Sequence, residues 1–220
     1  MLYSFLRDTI RFFGHHWIPL TVITASLGLV FELLVMLSWP QTAPDELVFP
    51  WFSYLLQWLG SIWTMAAVIL YLDHALGGQY LSPVNAWQKA LAFVLPLAGL
   101  QILIAIGISI GFVFLIVPGI YLGIKLALSS FYLVLDRQSI GTAMQSAWRG
   151  SDGYGWTLLG GYLLFYGVIM LLMQTITYTL TAETGGYGPI EVFIGVLFKP
   201  LTALIIIFGF RVYSDSNQSS

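Results

Sequence analysis

The 220-residue chain contains no cysteine, and only 8% of its residues are charged. Without cysteine it has no disulfide, no thiolate nucleophile and no thiolate metal site. Soluble domains carry about 25% charged residues, so a chain this poor in charge is not built to be wetted on all sides. It has eight Lys and Arg against ten Asp and Glu, a net charge of −2. That balance excludes nucleic-acid binding, which needs cations clustered along a phosphate track. HExxH, phosphate-loop and G-x-S-x-G patterns are all missing, and none of His15, His16 and His74 has a second ligand at i+3 or i+4. No cofactor or metal is implied, and an enzyme is the class with the least support.

What remains is apolar: 58% of residues are hydrophobic and the mean hydropathy is +0.86. Lipid offers no partner to backbone N–H and C=O groups, so spans must be helices or a closed barrel. The apolar runs are about 20 residues long and lack the alternation of barrel strands, so they read as helices. The expected fold class is all-α, an integral membrane protein with six transmembrane helices in three hairpins, each preceded by an interfacial amphipathic helix. The spans fall near 18–39, 51–72, 91–117, 118–135, 156–181 and 189–213. Residues 1–213 form one domain, and the polar tail 214–220 is expected to be disordered. The N-terminal stretch mixes charges with aromatics and lacks a small-residue cleavage site, unlike a signal peptide.

Several local signals set these boundaries. Leu2, Phe5, Leu6, Ile10 and Phe13 share one side of the first segment, as do Ile140, Ala143, Met144, Ala147 and Trp148 of a later one. Ser82 and Pro83 make an N-cap and first helical position, expected to open a short helix before the third span. Pro96 is a kink site, and Pro118-Gly119 is expected to form the tightest connection. The even spans follow Pro50, Pro118 and Pro189 and end in Asp73, Asp136 and Asp215. These regularities allow two readings: a threefold repeat over 1–73, 74–136 and 137–215, or a generic series of hairpins.

Six spans put both termini on one side. Arg7, Arg11, Lys89, Arg137, Arg149 and Arg211 all fall there, while the opposite loops hold only Asp45, Glu46, Glu183 and Glu191. The positive-inside rule makes the first side cytoplasmic.

Ionisable residues inside spans are costly and so are candidates for function. Glu32, Lys125 and Lys199 lie about 10–15 Å from the external boundary by helical rise. Gln57, Ser109 and Gln174 fall near the same depth, giving each span one polar group in a common layer. This layer has two readings. It is either an outward-facing polar pocket in which both lysines attract an anionic group with Glu32 as counter-ion, or a set of buried pairs and snorkelling lysines that fix packing. Gly107, Gly111, Gly119, Gly123 and Ala127 are helix-packing positions, most simply between the third and fourth spans.

The stretch Pro118-Gly119-Ile120, Leu126 to Leu128, Val134-Leu135-Asp136 and the Ala143–Trp148 helix closing in Gly153 resembles the YciC-like family of uncharacterised bacterial inner-membrane proteins. Leu6-Arg7-Asp8-Thr9 with Phe12-Phe13, and Phe210-Arg211-Val212-Tyr213, resemble that family's two ends. The family is related to the membrane domain attached to some glycerophosphoryl diester phosphodiesterases. The resemblance implies a multi-pass protein of the bacterial plasma membrane without its own phosphodiesterase. Two functions stand open: a non-catalytic scaffold or partner-binding module of the envelope, or a small transporter or lipid-binding protein using the polar layer. The expected partners are membrane lipids, with another inner-membrane protein or an anionic headgroup as the specific one. Residue patterns leave the oligomeric state open.

Overall fold

The structure is a computed structural model that describes residues 2–40, 49–79, 81–181 and 187–218. Among these the chain forms nine helices and no strand: α1 Leu2–His15, α2 Trp17–Ser38, α3 Trp51–Leu76, α4 Pro83–Phe114, α5 Ile116–Leu126, α6 Ser129–Leu135, α7 Ile140–Gly150, α8 Gly155–Thr181 and α9 Pro189–Gln218. Six stretches are long and apolar enough to cross a membrane: α2, α3, α4, α5 with α6, α8 up to Leu180, and α9. The protein is therefore a multi-pass, all-α membrane protein.

Side-chain contacts fix the direction of neighbouring helices. Ser38 meets Ser53 at 2.9 Å while Phe31 lies over Gly60, so α2 and α3 run antiparallel. Gly111 against Gly119 and Ile108 beside Gly123 give the same relation for α4 and α5. Tyr154 bonded to Asp215 and Phe208 over Gly161 give it for α8 and α9. α9 packs along both α2 and α8 and touches α1 and α3, which makes it the central strut. One end of the bundle gathers α1, α7, the start of α4 and the last turns of α9 with most of the charged residues; it is called here the charged end.

The core lies toward that end. Ala66, Ala67, Val68, Ile69, Leu70, Tyr71 and Leu72 are all buried in succession, as expected of a helix surrounded on every side. Indoles tie its neighbours together: Trp63 donates to the Trp87 carbonyl at 2.9 Å, and Trp87 donates to the Ile23 carbonyl at 3.3 Å. Trp87 thus links α4 to α2. Away from the charged end, α4 and α5 hold mainly each other, and Val113, Phe114, Leu115, Ile116 and Val117 are exposed.

Four expectations change. Ser82 caps its helix, accepting from the Asn85 N–H at 3.3 Å, but this helix is α4 itself, continuous through Pro96 to Phe114. Strong helix formers fill 86–95, and Pro96 removes a single N–H, too little to break a helix of this length. The hairpin turn sits at extended Leu115 (φ −166°, ψ 150°). Pro118 belongs to the first turn of α5, where a missing N–H has no intrahelical partner to lose. The fourth span is interrupted at Ala127 and Leu128. The tail is not disordered through 214–218: α9 continues to Gln218, held where Tyr132 donates to Asn217 at 3.0 Å and Tyr154 to Asp215 at 2.7 Å.

Phe208 is fully buried, edge-on to Tyr162 at 5.6 Å between ring centroids and tilted against Phe165 at 5.8 Å. Phe208→Ala is expected to cost about 3–5 kcal/mol by reversible unfolding in mixed micelles, because it leaves a cavity where α8 and α9 meet. Val113→Ala, at an exposed position, is expected to change stability by less than about 0.5 kcal/mol.

Candidate functional site

The deepest charges belong to α2 and α9. Glu32 is 1% exposed, and its Oε1 lies 3.3 Å from the Lys199 ammonium. Each charged residue follows a glycine by four positions on its own helix, Gly28 before Glu32 and Gly195 before Lys199. Because the helices are antiparallel, each side chain crosses the other helix's glycine. A Cβ on Gly28 would come within 2.7 Å of Lys199 Cγ, and one on Gly195 within 2.8 Å of Glu32 Cδ. The glycines admit the stems, and the stems carry the charges to each other.

The second carboxylate oxygen of Glu32 accepts a hydrogen bond from the Tyr187 hydroxyl. Tyr187 sits one residue before the Gly188 N-cap of α9, where the Gly188 N–H donates to Glu191 at 2.8 Å, half of a capping box. Its ring stacks on Trp39 at 5.1 Å. Burial, and then the Glu32 hydrogen bond and charge, push the Tyr187 phenol above its ordinary pKa, so it stays a proton donor. Glu32 is thus closed by an ammonium on one oxygen and a phenol on the other.

Lys125 does not join this pair. Its ammonium pairs with Asp152, in the turn after α7, and donates to the Trp148 carbonyl at 3.4 Å. The Tyr121 and Trp148 rings lie 5.8 and 5.6 Å from it, within cation–π range. Reaching along its stem, the lysine places its charge at the level of α7, while its Cα stays inside the span. The expected shared counter-ion is therefore replaced by two separate partners, Glu32 for Lys199 and Asp152 for Lys125.

The other members of the layer do not converge on either pair. Gln57 is half-buried on α3, whereas Ser109 and Gln174 are exposed on α4 and α8. Among the packing positions, Gly111 touches Gly119 directly, Gly119 takes the Phe112 ring and Gly123 sits beside Ile108. Gly107 has nothing within 4 Å, and Ala127 is half-buried at the break between α5 and α6.

At the charged end two of the Asp residues that close the even spans, Asp136 and Asp215, act as acceptors. Tyr213 donates to Asp136 at 2.8 Å, joining the end of α9 to the end of α6. A cavity of about 660 Å³ opens between α3, α4 and α6, rimmed by Asp73, His74, Lys89 and Arg137. His74 donates from Nδ1 to the Leu70 carbonyl at 2.9 Å and presents Nε2 to Lys89 at 3.4 Å, the arrangement of a neutral imidazole accepting from an ammonium. Among the described residues no cluster of three His, Asp or Glu could hold a metal.

Sequence reasoning singled out Glu32, Lys125 and Lys199 but missed Asp152 and Tyr187, which lie in a turn and a loop where polar residues are ordinary. The glycine four residues before each of Glu32 and Lys199 was a usable signal.

The chain is similar to the UPF0259 membrane protein plu2479 of Photorhabdus laumondii subsp. laumondii, with 23% identity over 155 residues, 70% of this chain and 59% of that protein. The match thus spans about three-fifths of the relative's length. UPF0259 is the group that includes the YciC-like proteins. No family model matches the chain, and no solved structure matches it.

Gly28→Leu and Gly195→Leu are expected to lower stability by about 2 kcal/mol or more by forcing α2 and α9 apart and unpairing a buried charge. Gly107→Leu, in open space, serves as the control and is expected to melt as the parent does.

Proposed function

We propose that this protein is a non-catalytic scaffold or partner-binding module of the bacterial inner membrane, with both termini cytoplasmic. One observation carries the reading: the ionisable groups inside the spans are taken up in two separate pairs, Glu32 with Lys199 and Lys125 with Asp152. A translocation site needs charges that can leave their partners for a substrate. Here the central carboxylate has its two oxygens engaged and the Gly195 backbone pressed against it. Such a pair adds little net stability over an apolar contact, but it strongly disfavours other registers of α2 on α9, which suits a part whose shape is its function.

The orientation rests on the cation asymmetry of the sequence. The finer architecture we propose is three hairpins, α2–α3, α4–α5 and α8–α9, with α1 and α7 as surface helices at the cytoplasmic interface. In the second hairpin the corresponding segment is the first turns of α4. A partner role also fits the relation, implied by the YciC-like resemblance, to a membrane domain attached to some glycerophosphoryl diester phosphodiesterases. The competing reading, an outward-facing polar pocket for transport or lipid binding, requires water to enter the bundle down to the level of Glu32, and Ser53 and Gln57 lie on α3 between its first turn and that level.

Because the chain has no cysteine of its own, single cysteines report accessibility directly. With a membrane-impermeant maleimide on intact cells, Phe49→Cys is expected to react, and Gln145→Cys only after permeabilisation. Ser53→Cys and Gln57→Cys are expected to stay unlabelled in both conditions. Labelling at 53 and 57 from outside would contradict the scaffold reading and support the pocket.

A further inference from the structure

α5 and α8 approach each other at Ile124 and Gly155, where a Cβ on the glycine would lie 3.9 Å from the isoleucine. Along the rest of their length they leave a trough. It has two adjoining parts, of about 550 and 360 Å³, that share Ile120, Ile124 and Leu159 as walls. The first part ends at Lys125, Ser151 and Gly153; the second ends at Tyr166 and Gly167. From Gly155 to Gly167 the trough follows about 18 Å of helix. The hydrocarbon of one leaflet is about 15 Å deep, so the trough has the length of one acyl chain reaching from headgroup level to the midplane.

Its head end carries two opposite charges of unequal exposure. The Lys125 side chain is 11% exposed, with its ammonium at the trough wall, while the Asp152 side chain is 69% exposed in the turn outside it. An anion entering along the chain axis meets the ammonium first, and a cation on its outer side meets the carboxylate. Lys125 and Asp152 bind each other. With the Trp148 carbonyl as its second acceptor, the ammonium keeps one N–H for a phosphate oxygen, and the second Asp152 oxygen is left for a further donor. A phosphate alone would therefore lie beside a carboxylate compensated on one oxygen only. A headgroup bearing a phosphate and, outside it, a primary ammonium satisfies both residues with charge-assisted hydrogen bonds.

We infer that the α5–α8 trough holds one acyl chain of a zwitterionic phospholipid of the phosphatidylethanolamine type, its phosphate on Lys125 and its ammonium on Asp152. Of the other polar neighbours at this end, the Trp148 carbonyl and the Ser151 hydroxyl are already engaged, the first by Lys125 and the second as a donor to that same carbonyl at 3.0 Å, while Tyr121 and Trp156 carry no charge to tell one headgroup from another. The selection therefore rests on the two charges. The assignment leaves intact the Lys125–Asp152 pair on which the scaffold reading rests, and a structural lipid does not need the water access that the labelling at 53 and 57 reports.

The test is native mass spectrometry of the full chain extracted from vesicles of equal phosphatidylethanolamine and phosphatidylglycerol. The parent is expected to retain one phosphatidylethanolamine about tenfold more often than phosphatidylglycerol, the scale of one charge-assisted hydrogen bond. Asp152→Asn keeps the exposed turn but removes the ammonium's partner, and the preference is expected to shift to phosphatidylglycerol. Leu159→Trp fills the trough and is expected to abolish retention of both while the melting temperature is kept. Soluble phosphoethanolamine is expected not to displace the lipid, because the chain contributes the binding. Equal retention of the two lipids by the parent, an unchanged preference in Asp152→Asn, retention by a folded Leu159→Trp, or displacement by the soluble headgroup would each overturn the assignment.

Discussion

Two charges that lipid would expel hold this bundle in register. Glu32 and Lys199 reach each other only because Gly28 and Gly195 let each stem lie on the opposite helix. Sliding α2 along α9 by one turn would bury an unpaired carboxylate, an unpaired ammonium, or both, each a loss of several kcal/mol. Apolar side chains cannot impose that selectivity in a membrane, because lipid tails satisfy them equally well. The pair therefore sets which of many similar helix contacts is adopted, and through α9 it determines where α8 and α3 rest.

At the other end the same task falls to phenols and carboxylates. The last turns of α9 are tied to α6 and to the turn before α8 through Tyr213 with Asp136, Tyr132 with Asn217 and Tyr154 with Asp215. α1 adds an ion pair, Asp8 to Arg211 at 3.8 Å. With both ends of α9 secured, the loosest part of the described structure is the far half of α4 and α5, which hold mostly each other. The trough between α5 and α8 is a consequence: α8 follows α9, while α5 follows α4 away from it.

Much of this was legible in the residues, for physical reasons that differ from place to place. Six spans follow from hydropathy because lipid imposes a length and a composition on each. Glu32 and Lys199 were conspicuous because charge inside a span is rare, and helical rise alone set them at similar depth. Lys125 was misplaced because counting locates a Cα, whereas a lysine's charge sits at the end of a flexible stem and follows whatever carboxylate it can reach. Asp152 and Tyr187 lie where polar residues are common, so nothing marked them before the fold brought them to their partners. Pro118 was read as a turn, although the first turn of a helix accommodates proline equally well and the chain reverses at Leu115. The polar run after Tyr213 looked solvated, yet a long helix already in place extends cheaply when tyrosines from neighbouring helices bond to its last turns.

The measurement closest to the central claim is a double-mutant cycle on the pair, using Glu32→Gln, Lys199→Met and the combined variant, with reversible unfolding followed in bicelles. Each single change should cost about 3–5 kcal/mol by leaving one buried charge unpaired, and the combined variant should recover much of that loss. A coupling energy of about 2 kcal/mol or more is the predicted result. Additive losses, with coupling below about 0.5 kcal/mol, would mean that the two residues do not depend on each other and that something else sets the register of α2 on α9.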